Sequence, residues 1–89
     1  MLYRWRCRGL ALEFAAVRAN AVSPGFVDTP LWGEKSPAEH AAFGADIAAG
    51  LPADIAGRSE HVALQVVAGI ANPCLTGSVT YVDGGGVIA

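Results

Sequence analysis

The feature that most constrains this sequence is a short apolar run that stops at a proline–glycine pair. Residues 17–22 are mostly apolar and are followed by Ser23, Pro24 and Gly25. Such a run predicts a parallel strand buried on both faces, and a central strand must stop at Pro24, which has no N–H to donate. Gly25 lacks a Cβ, so the backbone can turn tightly there or lie against a flat ligand. Because open α/β sheets bind ligands beyond the carboxyl ends of their strands, this loop is the predicted binding surface.

Turn and capping signals divide the remaining sequence into helices and one further strand. The predicted elements are the last turns of a helix over 10–16, a loop over 25–35, a helix from 36 to 49, a helix capped by Ser59 and ended by Asn72-Pro73, and a strand over 78–82. The second helix begins with Ser36 as N-cap, Pro37 at the first position and Glu39 completing a capping box. The strand–helix–strand order predicts a parallel sheet, although two strands alone are only marginally stable.

Both complete helices carry apolar side chains at helical spacing. In the first of them, the larger apolar residues fall four apart and share a face: Phe43, Ile47 and Leu51. In the next helix, the apolar residues follow the i, i+3, i+4, i+7 pattern: Ala63, Val66, Val67 and Ile70. We therefore expect this second face to be packed against the rest of the protein.

Length and composition limit what the chain can be. It has 89 residues, 53% of them hydrophobic, and a mean hydropathy of +0.39. A chain of this length typically buries about 60–65% of its unfolded surface, so this apolar content requires a compact alanine-rich bundle or a place in a larger sheet. The net charge of −2 gives no indication of a nucleic-acid partner. No apolar run approaches the roughly 18 residues of a membrane helix, so no membrane partner is expected.

The cysteines and the N-terminus bear on the cellular compartment. Cys7 and Cys74 have no Cys or His neighbour at metal-ligand spacing, so we expect no metal site and free thiols in a reducing cytoplasm. A basic N-terminus followed by an apolar stretch imitates a signal peptide. Glu13 interrupts that stretch and Arg18 lies just before the apparent cleavage site, which argues against secretion.

Three short motifs resemble the C-terminal part of the short-chain dehydrogenase/reductase family. The first is the segment over 20–29, reading Asn-Ala-Val-Ser-Pro-Gly-Phe-Val-Asp-Thr, which is preceded by Leu-Ala-Leu-Glu at 10–13. The others are Leu-Thr-Gly at 75–77 and Val-Asp-Gly-Gly at 82–85, in the family's order and spacing. The resemblance covers about residues 9–89. It implies an α/β fold: the C-terminal part of a doubly wound, Rossmann-like parallel sheet, with two strands and about three helices, incomplete alone.

The resemblance also implies roles for individual residues. Pro24, Gly25, Val27 and Thr29 match the loop that faces the nicotinamide of NAD or NADP, where the position of Val27 offers backbone hydrogen bonds and that of Thr29 a hydroxyl. Phe26 and Trp32 match the substrate side of the site, although Trp32 equally fits a cover for the edge of the core. Asp83 matches a segment used for subunit contacts, or else begins an ordinary flexible glycine-rich strand exit.

Other polar residues show no pattern of a catalytic site. His40 and His61 lie near predicted helix starts without a partner to orient them, so we expect solvated surface roles. Asn20 does not match the family's catalytic asparagine, which lies on an earlier helix. The carboxylates show no paired spacing for acid–base work: Glu13, Asp46, Asp54 and Glu60.

The chain lacks the motifs that carry the family's proton transfer and pyrophosphate binding. No glycine-rich strand-to-helix turn is present, and neither Tyr3 nor Tyr81 is followed four residues later by lysine. By register, that tyrosine belongs upstream of Met1, and residues 1–8 fit no secondary-structure pattern, as expected if translation starts inside a longer reading frame.

Residues 1–89 are therefore expected to form the C-terminal fragment of one dinucleotide-binding oxidoreductase domain. The resemblance implies that its parent transfers hydride between NAD(P) and an alcohol or carbonyl of a small-molecule substrate, and we expect no catalytic residues in this piece. We expect self-association or docking on related subunits. The alternative is a non-enzymatic remnant that acts as an interaction module.

Overall fold

Two short parallel strands and three helices make up the described part of the chain. The computed structural model describes residues 2–28, 33 and 36–89, and only the backbone of residues 2 and 3. In chain order the elements are α1 (Leu2–Glu13), β1 (Ala21–Pro24), α2 (Pro37–Ala49), α3 (Ser59–Ala71) and β2 (Val79–Val82). The strands pair in parallel, with Ala21 opposite Val79 and Pro24 opposite Val82. This arrangement confirms the expected partial, Rossmann-like α/β fold.

Strand β1 begins and ends later than predicted. The residues before it do not join the ladder, because the Ala19 N–H donates to Thr76 Oγ1 (3.1 Å) and the Ala19 carbonyl accepts from the Gly77 N–H (2.7 Å). At the two ends of the ladder, the Ala21 N–H donates to the carbonyl of Ser78, just before β2, and the Gly25 N–H donates to that of Val82. Pairing to β2 therefore uses odd-numbered residues, and the missing N–H of Pro24 faces the other edge. This is why β1 can include its proline.

Helix α1 is longer at its start than the sequence indicates. It begins at Leu2, although residues 1–8 fitted no pattern, and it ends at Glu13 rather than at residue 16. Apolar and arginine residues alternate over 3–8, and this two-residue period conceals the helix. Ala16 has a φ of 81°, a left-handed conformation that stops further helix.

The predicted cap of α2 is confirmed, whereas the predicted cap of α3 is wrong by one residue. The Ser36 hydroxyl accepts from the Glu39 N–H at 3.2 Å, and α2 ends at Ala49 as predicted. Helix α3 is capped by Arg58 rather than by Ser59. The Arg58 N–H donates to His61 Nδ1 at 2.9 Å, so the prediction of an unpartnered His61 is wrong.

Side-chain hydrogen bonds from Arg18 and Asn20 join the start of β1 to the end of α3. Arg18 donates to the carbonyl oxygens of Gly69 (2.7 Å), Ile70 (2.7 Å) and Leu75 (3.1 Å). The last carbonyls of a helix lack intrahelical donors and carry partial negative charge. A guanidinium at this position supplies hydrogen-bond donors and a compensating positive charge. Asn20 donates to the Leu75 carbonyl at 2.8 Å and accepts from the Ser78 N–H at 3.1 Å. These bonds place the two strand starts side by side.

The expectation that the apolar face of α3 is packed is wrong. Val66, Val67 and Ile70 are 43%, 61% and 70% exposed. The half-buried side of α3 instead contains Val62, Gln65 and Gly69, because the Arg18 bonds turn that side towards the sheet. A helix normally buries its apolar stripe, and none of the described elements covers this face of α3.

Buried apolar surface is scarce elsewhere too. Among the described residues Cys7 is the only buried hydrophobic side chain, at 6% exposure. Its Sγ lies 3.1 Å from the Ala19 carbonyl oxygen and 3.4 Å from that of Ser78, beneath the strand starts. Cys7 and Cys74 are both free thiols, as predicted. None of the helices in the described ranges has the length and apolarity needed to cross a bilayer.

Replacing Arg18 by Met tests the role of its three bonds. The variant leaves two carbonyls at the end of α3, and that of Leu75 in the loop after it, without their charged donor, so the free energy of unfolding should fall by at least about 2 kcal/mol. Urea unfolding followed by circular dichroism measures this change. The control is Arg58→Met, whose guanidinium is exposed and 3.5 Å from Glu60, and which should shift stability by less than about 0.5 kcal/mol. Equal effects of the two substitutions would contradict the anchoring role.

Candidate cofactor-facing site at the strand tips

Three loops meet at the carboxyl ends of the two strands. They are residues 25–28 after β1, residues 83–86 after β2, and residues 51–57 between α2 and α3. The Gly25 N–H donates to the Val82 carbonyl at 3.2 Å, and the Ala53 N–H donates to that of Gly84 at 2.9 Å. Backbone bonds thus hold the loops together at the edge where open α/β sheets bind their ligands.

The loop after β1 lies unusually close to the loop after β2. A Cβ added to Gly25 would lie 2.7 Å from the Asp83 Cβ, a distance that no real side chain tolerates. The Asp83 carboxylate accepts from the N–H groups of Gly85 (2.9 Å) and Val87 (3.1 Å). These two hydrogen bonds to Asp83 stabilise the turn after β2, which the sequence predicted to be flexible. Gly25 serves first to bring the strand tips together, while Pro24 and Gly25 stay exposed at the surface.

Phe26 and Val27 anchor the loop to the helical layer. The Phe26 ring meets the Phe43 ring of α2 edge to face, with centroids 5.6 Å apart. Val27 forms a parallel bridge with Gly57, and the Asp28 N–H donates to the Gly57 carbonyl at 2.8 Å. A Cβ on Gly57 would lie 2.5 Å from the Phe26 carbonyl oxygen, so this bridge also depends on a glycine.

Asp28 and His40 form a side-chain pair that the sequence analysis missed. His40 Nε2 lies 2.7 Å from Asp28 Oδ2, with the two side chains 55% and 24% exposed. The prediction of a His40 without an orienting partner is therefore wrong. The bond fastens the first turn of α2 to the loop after β1. A separation of twelve residues across a loop has no periodic signature, so no sequence pattern could have indicated the pair.

The predicted site residues fall into two groups. Pro24, Gly25, Phe26 and Val27 are consecutive with Asp28 at the strand tip, whereas Thr29 and Trp32 lie outside the described residues. The described tip offers a close-lying glycine backbone and an aromatic ring. It contains no cluster of three or more His, Cys, Asp or Glu side chains suited to a metal. Such a surface can contact and orient a flat ring.

Comparison with known proteins gives a consistent result. A family model described as Enoyl-(Acyl carrier protein) reductase matches residues 5–86. Among solved structures, a small-chain dehydrogenase in complex with NADPH is 29% identical with a TM-score of 0.81. A C-terminal deletion mutant of aldohexose dehydrogenase from Thermoplasma acidophilum is 27% identical with a TM-score of 0.76. MalC Reductase/Diels-Alderase from Malbranchea aurantiaca, at 24% identity and a TM-score of 0.80, shares the fold. No curated protein matches the sequence significantly.

The matched region covers nearly all of this chain but less than half of each similar structure. It covers 98%, 99% and 97% of this chain, but 40%, 43% and 33% of the three structures in the same order. This chain therefore spans less than half the length of the proteins that it resembles.

Substitution of Gly25 by Ala tests the close approach of the strand tips. The new Cβ would clash with the backbone and side chain at Asp83, so the free energy of unfolding should fall by about 1–3 kcal/mol. Thermal unfolding measures the change. Gly44→Ala is the matched control, because it lies within α2 with open space around its Cβ position and should stabilise the chain by about 0.5–1 kcal/mol. A neutral Gly25→Ala would contradict the structure at this point.

Proposed function

Because this chain belongs to the short-chain dehydrogenase/reductase family, we propose that it forms the nicotinamide-facing end of an NAD(P)-dependent oxidoreductase domain. In this role it supplies the cofactor loop, the substrate loop and a surface for association. The observation that carries the proposal is the strand tip, where Gly25 and Asp83 bring two loops together at the ligand-binding edge of the sheet.

The residues present fit only the nicotinamide end of the cofactor. When bound, NAD(P) supplies or accepts the hydride exchanged with an alcohol or carbonyl. Pro24 and Gly25 present an exposed backbone to a flat group, with the Cβ side of Gly25 filled by Asp83, and the backbone of Val27 and the hydroxyl of Thr29 orient the carboxamide. Phe26 and Trp32 border the substrate, with Phe26 positioned by Phe43. The sequence has no glycine-rich turn of the kind that binds the pyrophosphate of NAD(P), so this chain does not bind the pyrophosphate through such a turn.

The chain alone should not turn over substrate. General acid–base catalysis requires a positioned proton donor, and the sequence has no tyrosine–lysine pair at the family's spacing. NAD and NADP are both compatible with the residues present, and NADPH is the cofactor in one similar structure. Two free thiols are in keeping with a reducing cytoplasm.

A chimera tests the proposal with the missing parts supplied covalently. The matched segment of the NADPH-bound small-chain dehydrogenase is replaced by this chain, and NADPH binding is measured by fluorescence. We expect a folded chimera that binds NADPH and oxidises it with carbonyl substrates. A chimera that unfolds cooperatively yet fails to bind NADPH would contradict the proposed role.

A substitution pair within the chimera tests the predicted cofactor loop. Thr29→Val removes a hydroxyl while keeping the shape of the side chain, so the NADPH dissociation constant should rise about tenfold, the equivalent of one hydrogen bond. Thr29→Ser keeps the hydroxyl and should change the constant by less than about twofold. If both variants bind like the parent chimera, Thr29 has no place in the site.

The exposed apolar face of α3 favours a second candidate function. Val67 and Ile70 are mostly exposed, as expected for a non-enzymatic interaction module that binds another protein. The chimera separates the candidates, because a pure interaction module would not restore cofactor binding when joined to the rest of a dehydrogenase.

A further inference from the structure

We propose that α1 and the outer edge of β2 together form a binding site for a phosphate group, carried by a small molecule or present as the free ion. The residues of this site belong to none of the three loops at the strand tips. The inference is therefore independent of the proposed function and concerns a second surface of the chain.

A cavity of about 390 Å³ lies between the first turns of α1 and strand β2. Six residues line it: Arg4, Arg8, Gly77, Ser78, Val79 and Tyr81. The stem of Arg8 lies against the start of the strand, since a Cβ added to Gly77 would be 4.0 Å from Arg8 Cγ. Sites for small molecules enclose about 300–1000 Å³, so the cavity has room for an organic group beside a phosphate.

Two guanidinium groups give this cavity its charge. Arg4 and Arg8 are one helical turn apart, so their side chains project from the same face of α1. Within the part of the chain that the structure describes, neither guanidinium forms an ion pair with a carboxylate. Like charges one turn apart on a helix repel each other, and a bound anion would remove this repulsion.

The Arg8 guanidinium is held in place by an aromatic ring. Its Cζ lies 5.9 Å from the centroid of the Trp5 ring, within the range of a cation–π contact. A guanidinium stacked on a ring keeps the N–H donors in its own plane available for other partners. Arg8 is thus prepared to donate to the oxygens of an anion with little further loss of side-chain freedom.

The outer edge of β2 adds backbone donors to the same cavity. The carbonyls of Ser78 and Val82 accept from β1, so the even-numbered residues of this parallel ladder bond to β1. The N–H groups of Val79 and Tyr81 therefore point away from β1. No other strand in the described sheet pairs with β2 on that side, so these two donors are open.

The side chain of Tyr81 lies in the same layer as α1. Thr80 Oγ1 lies 3.4 Å from Gln65 Nε2 of α3, so the neighbouring side chains of β2 face the opposite side of the sheet. That side carries α1, because Tyr81 shares the cavity with Arg4 and Arg8. The hydroxyl of Tyr81 is a further group that can donate to an anion.

Donors on two sides of the cavity favour phosphate over carboxylate. The guanidinium groups come from the helix, and the N–H groups come from the strand edge. A carboxylate has two oxygens in one plane, whereas a phosphate group has at least three acceptor oxygens and carries about −1.5 to −2 charges at neutral pH. Phosphate can therefore accept from both sides at once, through charge-assisted hydrogen bonds.

Titration of the full chain with inorganic phosphate, at constant ionic strength, tests the inference. We expect saturable binding that shifts the amide resonances of Val79 and Tyr81 in ¹H–¹⁵N spectra, and at least about tenfold weaker binding of acetate. Phenyl phosphate distinguishes the two sources of the group. Tighter binding than that of inorganic phosphate would support a phosphorylated small molecule, and equal binding would support the free ion.

Three matched substitutions in α1 separate a built site from general positive charge. Arg4→Gln and Arg8→Gln each remove one guanidinium and should weaken phosphate binding about tenfold. Arg6→Gln removes the same charge from the same helix, but Arg6 is exposed and does not line the cavity. This control should change the dissociation constant by less than about twofold. Circular dichroism of each variant establishes that its fold is retained.

Four results would overturn the inference. They are the absence of saturable phosphate binding, an equal loss of affinity in Arg6→Gln, acetate binding as tight as that of phosphate, and shifts confined to the loops at the strand tips. The last result would assign phosphate to the predicted cofactor surface instead of to α1 and β2.

Discussion

The hydrogen bonds of Arg18 and Asn20 are the constraint on which the rest of the structure depends. Two strands separated by more than fifty residues have little buried surface to hold them in register. Arg18 instead binds carbonyls at the end of α3, and Asn20 bridges the Leu75 carbonyl and the Ser78 N–H. Polar bonds to backbone thus take over part of the role that a hydrophobic core has in a complete domain. These long-range hydrogen bonds keep β1 and β2 paired, although Cys7 is the only buried hydrophobic residue among those described.

This constraint at the strand starts determines the geometry at the strand tips. Parallel pairing carries the register forward to Pro24 and Val82, and the next residues, Gly25 and Asp83, come into contact. The Phe26–Phe43 contact and the Asp28–His40 bond then attach α2 to the same edge. The proposed binding surface is consequently built from backbone and loops supported at both ends. Under the proposed function, its role is to contact and orient the cofactor.

The sequence predicted local structure well wherever the signal was local. Ser36, Pro37 and Gly50 define α2 because capping is decided within four residues. The end of β1 was predicted too early, because Pro24 lies within the strand with its missing N–H on the unpaired edge. Long-range bonds explain the failures: Arg18 decides which side of α3 faces the sheet, and it overrides the apolar periodicity of that helix. The Asp28–His40 pair and the fastening of the last turn by Asp83 are likewise tertiary contacts. Thr29 and Trp32 remain predictions from the family resemblance.

The central claim is that β1 is paired on one edge and open on the other. Hydrogen–deuterium exchange of two adjacent amides, Ala21 and Val22, tests it most directly. We predict slow exchange at Ala21, whose N–H is bonded to the Ser78 carbonyl, and fast exchange at Val22 in the chain alone. Fast exchange at both amides, or protection of Val22 in the dilute chain alone, would contradict the account.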